Sequence, residues 1–130
     1  MKPGGDVADM LAIQDLVYNY THAIDGRQEL LFAGLWASDA VWDLGGDAGL
    51  GVFRGRDAIF DAFRRSVASG RQMHHFSSNL IVHVHGNQAT GRSKSVTTGR
   101  DIPMFASYDD EYVRLDGIWQ FTRRTVRAHL

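Results

Sequence analysis

The sequence has no cysteine, only two prolines and almost no net charge. Without cysteine the chain has no disulfide, no thiolate metal ligand and no cysteine nucleophile. A formal net charge of −1 gives no field that would attract nucleic acid or an acidic membrane surface. No apolar run approaches the length of a membrane span, and the start of the chain carries no secretory signal. We therefore expect a soluble, cytoplasmic protein that binds neither nucleic acid nor membrane.

The overall amino-acid composition is typical of a globular protein. The 130 residues are 44% hydrophobic and 22% charged, which suffices for one sizeable buried core. We predict a single domain over residues 1–130, with residues 1–5 as a loose tail.

Apolar periodicity predicts three helices in the first half of the chain. The first runs from about Asp6, as N-cap, to Ile24, where Gly26 ends it. The second covers about 28–36, and the third covers 56–68, with apolar residues on one face.

Alternating apolar and polar residues, bounded by turn residues, predict strands between the second and third helices and after the third. "DAVWDLGG" and "GVFRG" read as two short strands, and "HGNQ" marks a hairpin turn near Gly86–Asn87. Strands at about 105–115 and 118–128 flank a second turn, Asp116–Gly117. The order predicts an α+β fold with helices on one face of a curved, mostly antiparallel sheet. The conical space between them is either filled by side chains or used as a pocket.

Five segments occur in a recognisable order, and the last combines Asp-Gly-x-Trp with an Arg-rich strand. They are "AIQDLV", "AIDGRQELLFAGLWASDAVWD", "FRGRDAIFDAF", "HHFSSNLIVHVHGNQATGRS" and "YDDEYVRLDGIWQFTRR". Together they resemble the SnoaL-like branch of the NTF2-like superfamily, and within it scytalone dehydratase, bile-acid 7α-dehydratase and hexachlorocyclohexane dehydrochlorinase. The resemblance implies an NTF2-like cone with a central pocket and no cofactor. It also implies a small hydrophobic substrate and a homo-oligomer, dimer or trimer.

The resemblance also implies the catalytic residues. The His–Asp pair of those enzymes matches Asp25 and His75, with His74 as the competing histidine. Their arginine on the last strand matches Arg124 for the dehydrochlorinase and lies nearer Arg127 for the bile-acid enzyme. Tyr20 stands where the dehydrochlorinase has a lysine and the bile-acid dehydratase a tyrosine, which favours dehydration. The second catalytic histidine of scytalone dehydratase has no counterpart around 97–99.

These residue types suit an elimination. A neutral imidazole, with an ordinary pKa of about 6.5, can take a carbon-bound proton, and a carboxylate on its other nitrogen fixes the tautomer. A tyrosine can hydrogen-bond a departing hydroxyl, and an arginine suits an enolate-like oxygen. Residues five apart lie roughly 140° apart around a helix, so we expect the helix to end before Asp25 for that carboxylate to converge with Tyr20.

The remaining candidates concern the pocket wall and a metal site. The pocket-wall candidates are Trp36, Trp42, Phe53, Phe63, Asn79 and Phe105. His83 and His85 alternate with apolar residues and have no carboxylate at useful spacing, so we predict an outward strand face and no metal.

The leading hypothesis is a cofactor-independent lyase of the dehydratase type, with an isomerase as a variant. One alternative is a non-catalytic assembly subunit like the small subunits of ring-hydroxylating dioxygenases. It predicts that His75 and Asp25 lie beyond hydrogen-bond distance, or that the cone is filled. Another is a ketosteroid-isomerase-like or polyketide-cyclase-like enzyme, which needs an acid facing the pocket from a middle strand, and Asp101 is the candidate.

Overall fold

The computed structural model describes residues 7–46, 49–99 and 101–129. In these ranges three helices pack on a six-stranded curved sheet that does not close, so the α+β prediction is confirmed. The helices are α1 (Val7–Asp25), α2 (Glu29–Gly34) and α3 (Arg56–Ala68). The strands are β1 (Trp36–Asp43), β2 (Val52–Arg54), β3 (His74–His85), β4 (Gln88–Thr98), β5 (Met104–Leu115) and β6 (Ile118–His129).

The sheet has the strand order β2-β1-β6-β5-β4-β3. β1 pairs with β6 in parallel, and every other neighbouring pair is antiparallel. Helix α1 packs against β3 at one edge, and α3 packs against β1 and β2 at the other. The helices therefore cover one face of the sheet. None of the helices in the described ranges is both long and apolar enough to span a membrane.

The observed end of α1 agrees with the prediction to one residue, with Gly26 directly after it, whereas the predicted end of α2 is wrong. Helix α1 includes Asp25, because the Gly26 N–H donates to the His22 carbonyl (2.9 Å) and closes one more turn. Helix α2 ends at Gly34 instead of Trp36, since Trp36 is already in β1 and pairs with Phe121 of β6. The predicted N-cap at position 6 and the tail at 1–5 lie outside the described residues.

Both hairpin turns lie where the sequence places them. Gly86 (φ 62°), Asp116 (φ 51°) and Gly117 (φ 77°) adopt the left-handed conformation that tight hairpin turns require. Pairing from the second turn runs regularly to Tyr112 opposite Phe121 and then shifts by one residue. This bulge changes which β6 side chains face the helices.

The core is an aromatic cluster between the helices and the sheet. One face of α1 is buried, and its buried residues recur at helical spacing and include Tyr20. The fully buried Phe32 ring stacks on Phe63 with centroids 4.3 Å apart. Trp36 packs against Trp42 from the same strand. This cluster fixes the cavity wall next to it.

Candidate active site

A cavity of about 420 Å³ lies between the helices and the inner face of the sheet. Helix α1 contributes Tyr20 and Ile24, and β3 contributes His75. Alternate residues of β4 and β5 form the sheet side of the wall, namely Ser95, Thr97, Met104, Ala106 and Tyr108. The cone is therefore open in its centre and mostly apolar, with few polar groups facing inward.

Asp25 and His75 are hydrogen-bonded at this cavity. The His75 Nδ1 lies 2.6 Å from the Asp25 Oδ1, and the His75 main-chain N–H donates to the Asp25 Oδ2 at 2.7 Å. Both side chains are largely buried, at 12% and 16% exposure. Because a carboxylate accepts, Nδ1 carries the hydrogen, and in the neutral imidazole Nε2 then presents a lone pair. Within the described part of the chain, Nε2 has no hydrogen-bond partner.

The fold brings this pair together without an early end to the helix. Asp25 is the last residue of α1, and His75 is the second residue of β3, which packs along α1. Tyr20 and His75 line the cavity, whereas Asp25 does not. The expectation that Asp25 must turn inward toward Tyr20 is thus wrong, because His75 reaches Asp25 from the strand. His74, its neighbour, is exposed on the opposite face.

Tyr20 is buried with its hydroxyl held in place. Its oxygen accepts a hydrogen bond from the Trp42 Nε1–H at 3.1 Å, which leaves its own O–H free to donate. Burial raises the pKa of Tyr20 well above its usual range, and the nearby Tyr108 adds to the rise while Arg124 opposes it. Tyr20 therefore stays a neutral hydrogen-bond donor.

Arg124 is buried in a two-point ion pair. Its Nε and Nη2 donate to the two Asp110 oxygens at 2.9 and 3.1 Å, and both side chains have 0% exposure. The Tyr112 hydroxyl donates to the same carboxylate at 2.8 Å. Burial acts to lower the pKa of Arg124, but the charge and hydrogen bonds of Asp110, together with Tyr108 and Tyr20, raise it by more in total, so the pKa is raised and the cation is permanent.

The guanidinium of Arg124 lies behind the cavity wall. Its central carbon is 4.2 Å from the Tyr20 ring centroid and 3.8 Å from that of Tyr108. Both tyrosines line the cavity, but Arg124 does not. The alternative candidate, Arg127, is exposed and pairs with Asp109, and the neighbouring Arg123 pairs with Asp43.

Of the predicted wall residues, only Trp42 and Phe53 line the cavity. Trp36 and Phe63 belong to the core, with 0% and 1% exposure, because they pack behind the wall.

Asn79 and Phe105 also lie away from the cavity. Asn79 is exposed, with a φ of 56°, where the pairing of β3 with β4 shifts register. Phe105 is 54% exposed, because its strand neighbours Met104 and Ala106 take the inward positions. The wall expectation for these two residues is therefore corrected.

Sequence reasoning missed Tyr108 and Asp110, which face the helices from β5. Their signal is the alternation in "YDDEY", where positions 108, 110 and 112 share one face. His83 and His85 are exposed on the outer face. Among residues 7–46, 49–99 and 101–129, no group of three histidine, aspartate or glutamate side chains is arranged to hold a metal ion.

Comparison with known proteins identifies the family and the fold of the chain. A profile of the SnoaL-like domain matches residues 5–125. Gamma-hexachlorocyclohexane dehydrochlorinase of Sphingobium indicum is 29% identical over 126 residues, which are 91% of this chain and 79% of that protein.

Two solved structures have the same fold over nearly the whole chain. The crystal structure of LinA superposes with a TM-score of 0.85 at 28% identity, covering 95% of this chain and 88% of that one. The LinA-type3 dehydrochlorinase of Novosphingobium barchaimii gives a TM-score of 0.83 at 28% identity, covering 95% and 88%. This chain belongs to the SnoaL-like domain family.

Proposed function

We propose that this protein is a cofactor-independent lyase that removes water from a small, hydrophobic cyclic substrate. The observation that carries the proposal is the Asp25–His75 pair, with Nδ1 to Oδ1 at 2.6 Å, at the wall of an open and mostly apolar cavity. The dehydrochlorinases to which the chain is similar are named for an elimination, which supports the same reaction class.

In this proposal His75 moves the proton. Its Nε2 takes a proton from the carbon next to an electron-withdrawing group, the electron pair of that bond stays on the carbon, and Asp25 stabilises the imidazolium that forms. The same imidazolium then gives its proton to the hydroxyl that leaves from the same side of the ring. The carbon–hydrogen and carbon–oxygen bonds break, a carbon–carbon double bond forms, water leaves and His75 returns to its neutral form.

Tyr20 orients the leaving hydroxyl. Its free O–H can donate to that oxygen, while Trp42 fixes the phenol from the other side. Because burial raises the pKa of Tyr20, giving up its proton is unfavourable, and a hydrogen bond is the role that its environment supports. Arg124 is a positioning residue in this scheme, since it contacts the ring of Tyr20 and does not line the cavity.

The two alternatives find less support. The assembly-subunit hypothesis requires a broken His75–Asp25 contact or a filled cone, and neither is observed. The isomerase hypothesis requires an acid in the cavity. Asp101 is exposed in the segment between β4 and β5, and Asp110 is engaged by Arg124.

The test is turnover of a panel of cyclic β-hydroxy ketones, followed by the absorbance of the conjugated enone product. We expect His75→Ala to lower the rate by about 10²–10⁴-fold and Asp25→Asn to lower it by a similar order. Tyr20→Phe should lower it less, because one hydrogen bond is lost. Circular dichroism would verify that each variant is folded.

The matched control is His74→Ala, which removes the adjacent imidazole from the opposite face of the same strand. We expect this variant to keep wild-type activity. Full activity in His75→Ala, or an equal loss in His74→Ala, would contradict the assigned roles.

A further inference from the structure

We propose that the substrate carries an anionic group, such as a carboxylate, which Arg65 and Arg71 hold at the mouth of the cavity. This inference rests on the proposed function and specifies the substrate class of that site. Both arginines line the cavity and are also exposed, so they mark the place where it opens to solvent. The hydrophobic body of the substrate would lie deeper, against His75.

The ionisable side chains known to line the cavity are all basic. The described lining contains Arg65, Arg71 and His75, and no aspartate or glutamate. The chain as a whole has a formal net charge of −1, so this positive region is a local feature. In a cleft with apolar walls, charge of one sign raises the local concentration of ligands of the opposite sign.

Arg65 is directed at the cavity by α3 and by an aromatic wall residue. Its guanidinium carbon lies 5.7 Å from the ring centroid of Phe53, which lines the cavity. The preceding residue, Arg64, points elsewhere, with its Nε 3.7 Å from the Glu29 carboxylate. Arg65 itself forms no ion pair with any residue that the structure describes.

Arg71 also lines the cavity, in the segment that joins α3 to β3. Arg27 adjoins it, because the Arg27 Nη2 donates to the Gln72 side-chain oxygen at 2.9 Å and reaches the Arg71 carbonyl at 3.5 Å. Asp101 borders the same surface depression as Arg71, but the two form no ion pair. The mouth therefore carries guanidinium groups with unused donors, which suit a carboxylate in geometry and charge.

The test uses two fluorescent probes with the same anilinonaphthalene skeleton. One is 8-anilinonaphthalene-1-sulfonate, and the other is neutral N-phenyl-1-naphthylamine. We expect Arg65→Gln/Arg71→Gln to weaken binding of the sulfonate by about 3- to 30-fold, as expected for two partly exposed ion pairs. The neutral probe should change by less than about twofold. Added salt should weaken sulfonate binding to the wild type and have little effect in the double variant.

Two controls complete the experiment. Arg64→Gln removes the same charge one residue away, from a side chain that does not line the cavity, and should leave both probes unaffected. Ala106→Trp fills the cavity from β5 and should weaken both probes. An equal loss for the two probes in the double variant, an equal effect of Arg64→Gln, or sulfonate binding that survives Ala106→Trp would each overturn the proposal. Since binding needs no turnover, this result is independent of the dehydration test.

Discussion

The buried ion pair of Arg124 and Asp110 should make a large contribution to the free energy of unfolding. Asp110 accepts from two guanidinium nitrogens and from the Tyr112 hydroxyl, and no part of either charged side chain is exposed. In Asp110→Asn the guanidinium loses its counter-charge and faces amide hydrogens. It cannot lose its proton to relieve the cost, because arginine remains protonated in proteins.

Removal of one partner of a buried pair costs about 3–5 kcal/mol. For a chain of 130 residues, 1 kcal/mol corresponds to about 4 °C, so Asp110→Asn should lower Tm by about 12–20 °C. Urea denaturation followed by tryptophan fluorescence measures the free energy of unfolding directly. Thermal melting by circular dichroism gives the shift in Tm.

The control is Asp109→Asn, one residue away on the opposite face of the strand. The Asp109–Arg127 pair has side chains that are 54% and 63% exposed, so its loss should cost less than about 1 kcal/mol. Adding Arg124→Met to Asp110→Asn should recover much of the stability, because no unpaired charge stays buried. A loss below about 1 kcal/mol in Asp110→Asn, or one equal to that of Asp109→Asn, would refute the reasoning.

Two further predictions concern pH and packing. Burial raises the pKa of Tyr20, Tyr108 and Tyr112 in the folded state. Their contribution to the free energy of unfolding is therefore complete below pH about 10, the ordinary pKa of tyrosine, and is lost above it. The loss is up to about 1.4 kcal/mol per pH unit for each tyrosine. As the pH is raised from 9 to 12, the urea concentration at the unfolding midpoint should therefore fall while tyrosinate absorbance appears. Ionisation of these phenols without unfolding would contradict the prediction. In Gly91→Ala the new Cβ would lie 2.6 Å from the Tyr112 hydroxyl, so we expect a loss of about 1–3 kcal/mol. In Gly34→Ala the new Cβ would meet no atom within 4 Å apart from its chain neighbours and its own helix backbone, so this variant should be neutral or stabilising in the same measurements.

Much of the architecture could be predicted because its signals are local. The boundaries of α3 follow from apolar spacing, and both hairpins follow from glycine-containing turns at Gly86 and Gly117. The predicted end of α2 is wrong because the apolar stripe of that segment continues past Gly34 through Leu35 and Trp36. Pairing of Trp36 with Phe121 on β6, far along the chain, draws that segment into the sheet.

The register of β6 could not be predicted for the same reason. Regular pairing from the turn at Asp116–Gly117 would place Arg123 opposite Asp110. The one-residue shift after Phe121 places Arg124 there instead and sends Arg123 to Asp43. Turn chemistry sets where pairing begins, but it does not set where a bulge shifts the register.

The sequence by itself determined the α+β order and the two hairpins, because periodicity and turn residues are properties of the chain, and its resemblance to the SnoaL-like family implied the candidate pair Asp25 and His75. Only the tertiary structure decided that His75 reaches Asp25 from β3 at the end of an uninterrupted α1, and that Arg124 is held by Asp110 behind Tyr20. It also decided which predicted aromatic residues line the cavity. Those outcomes depend on contacts between residues that are distant in sequence, and such contacts cannot be predicted from local sequence patterns.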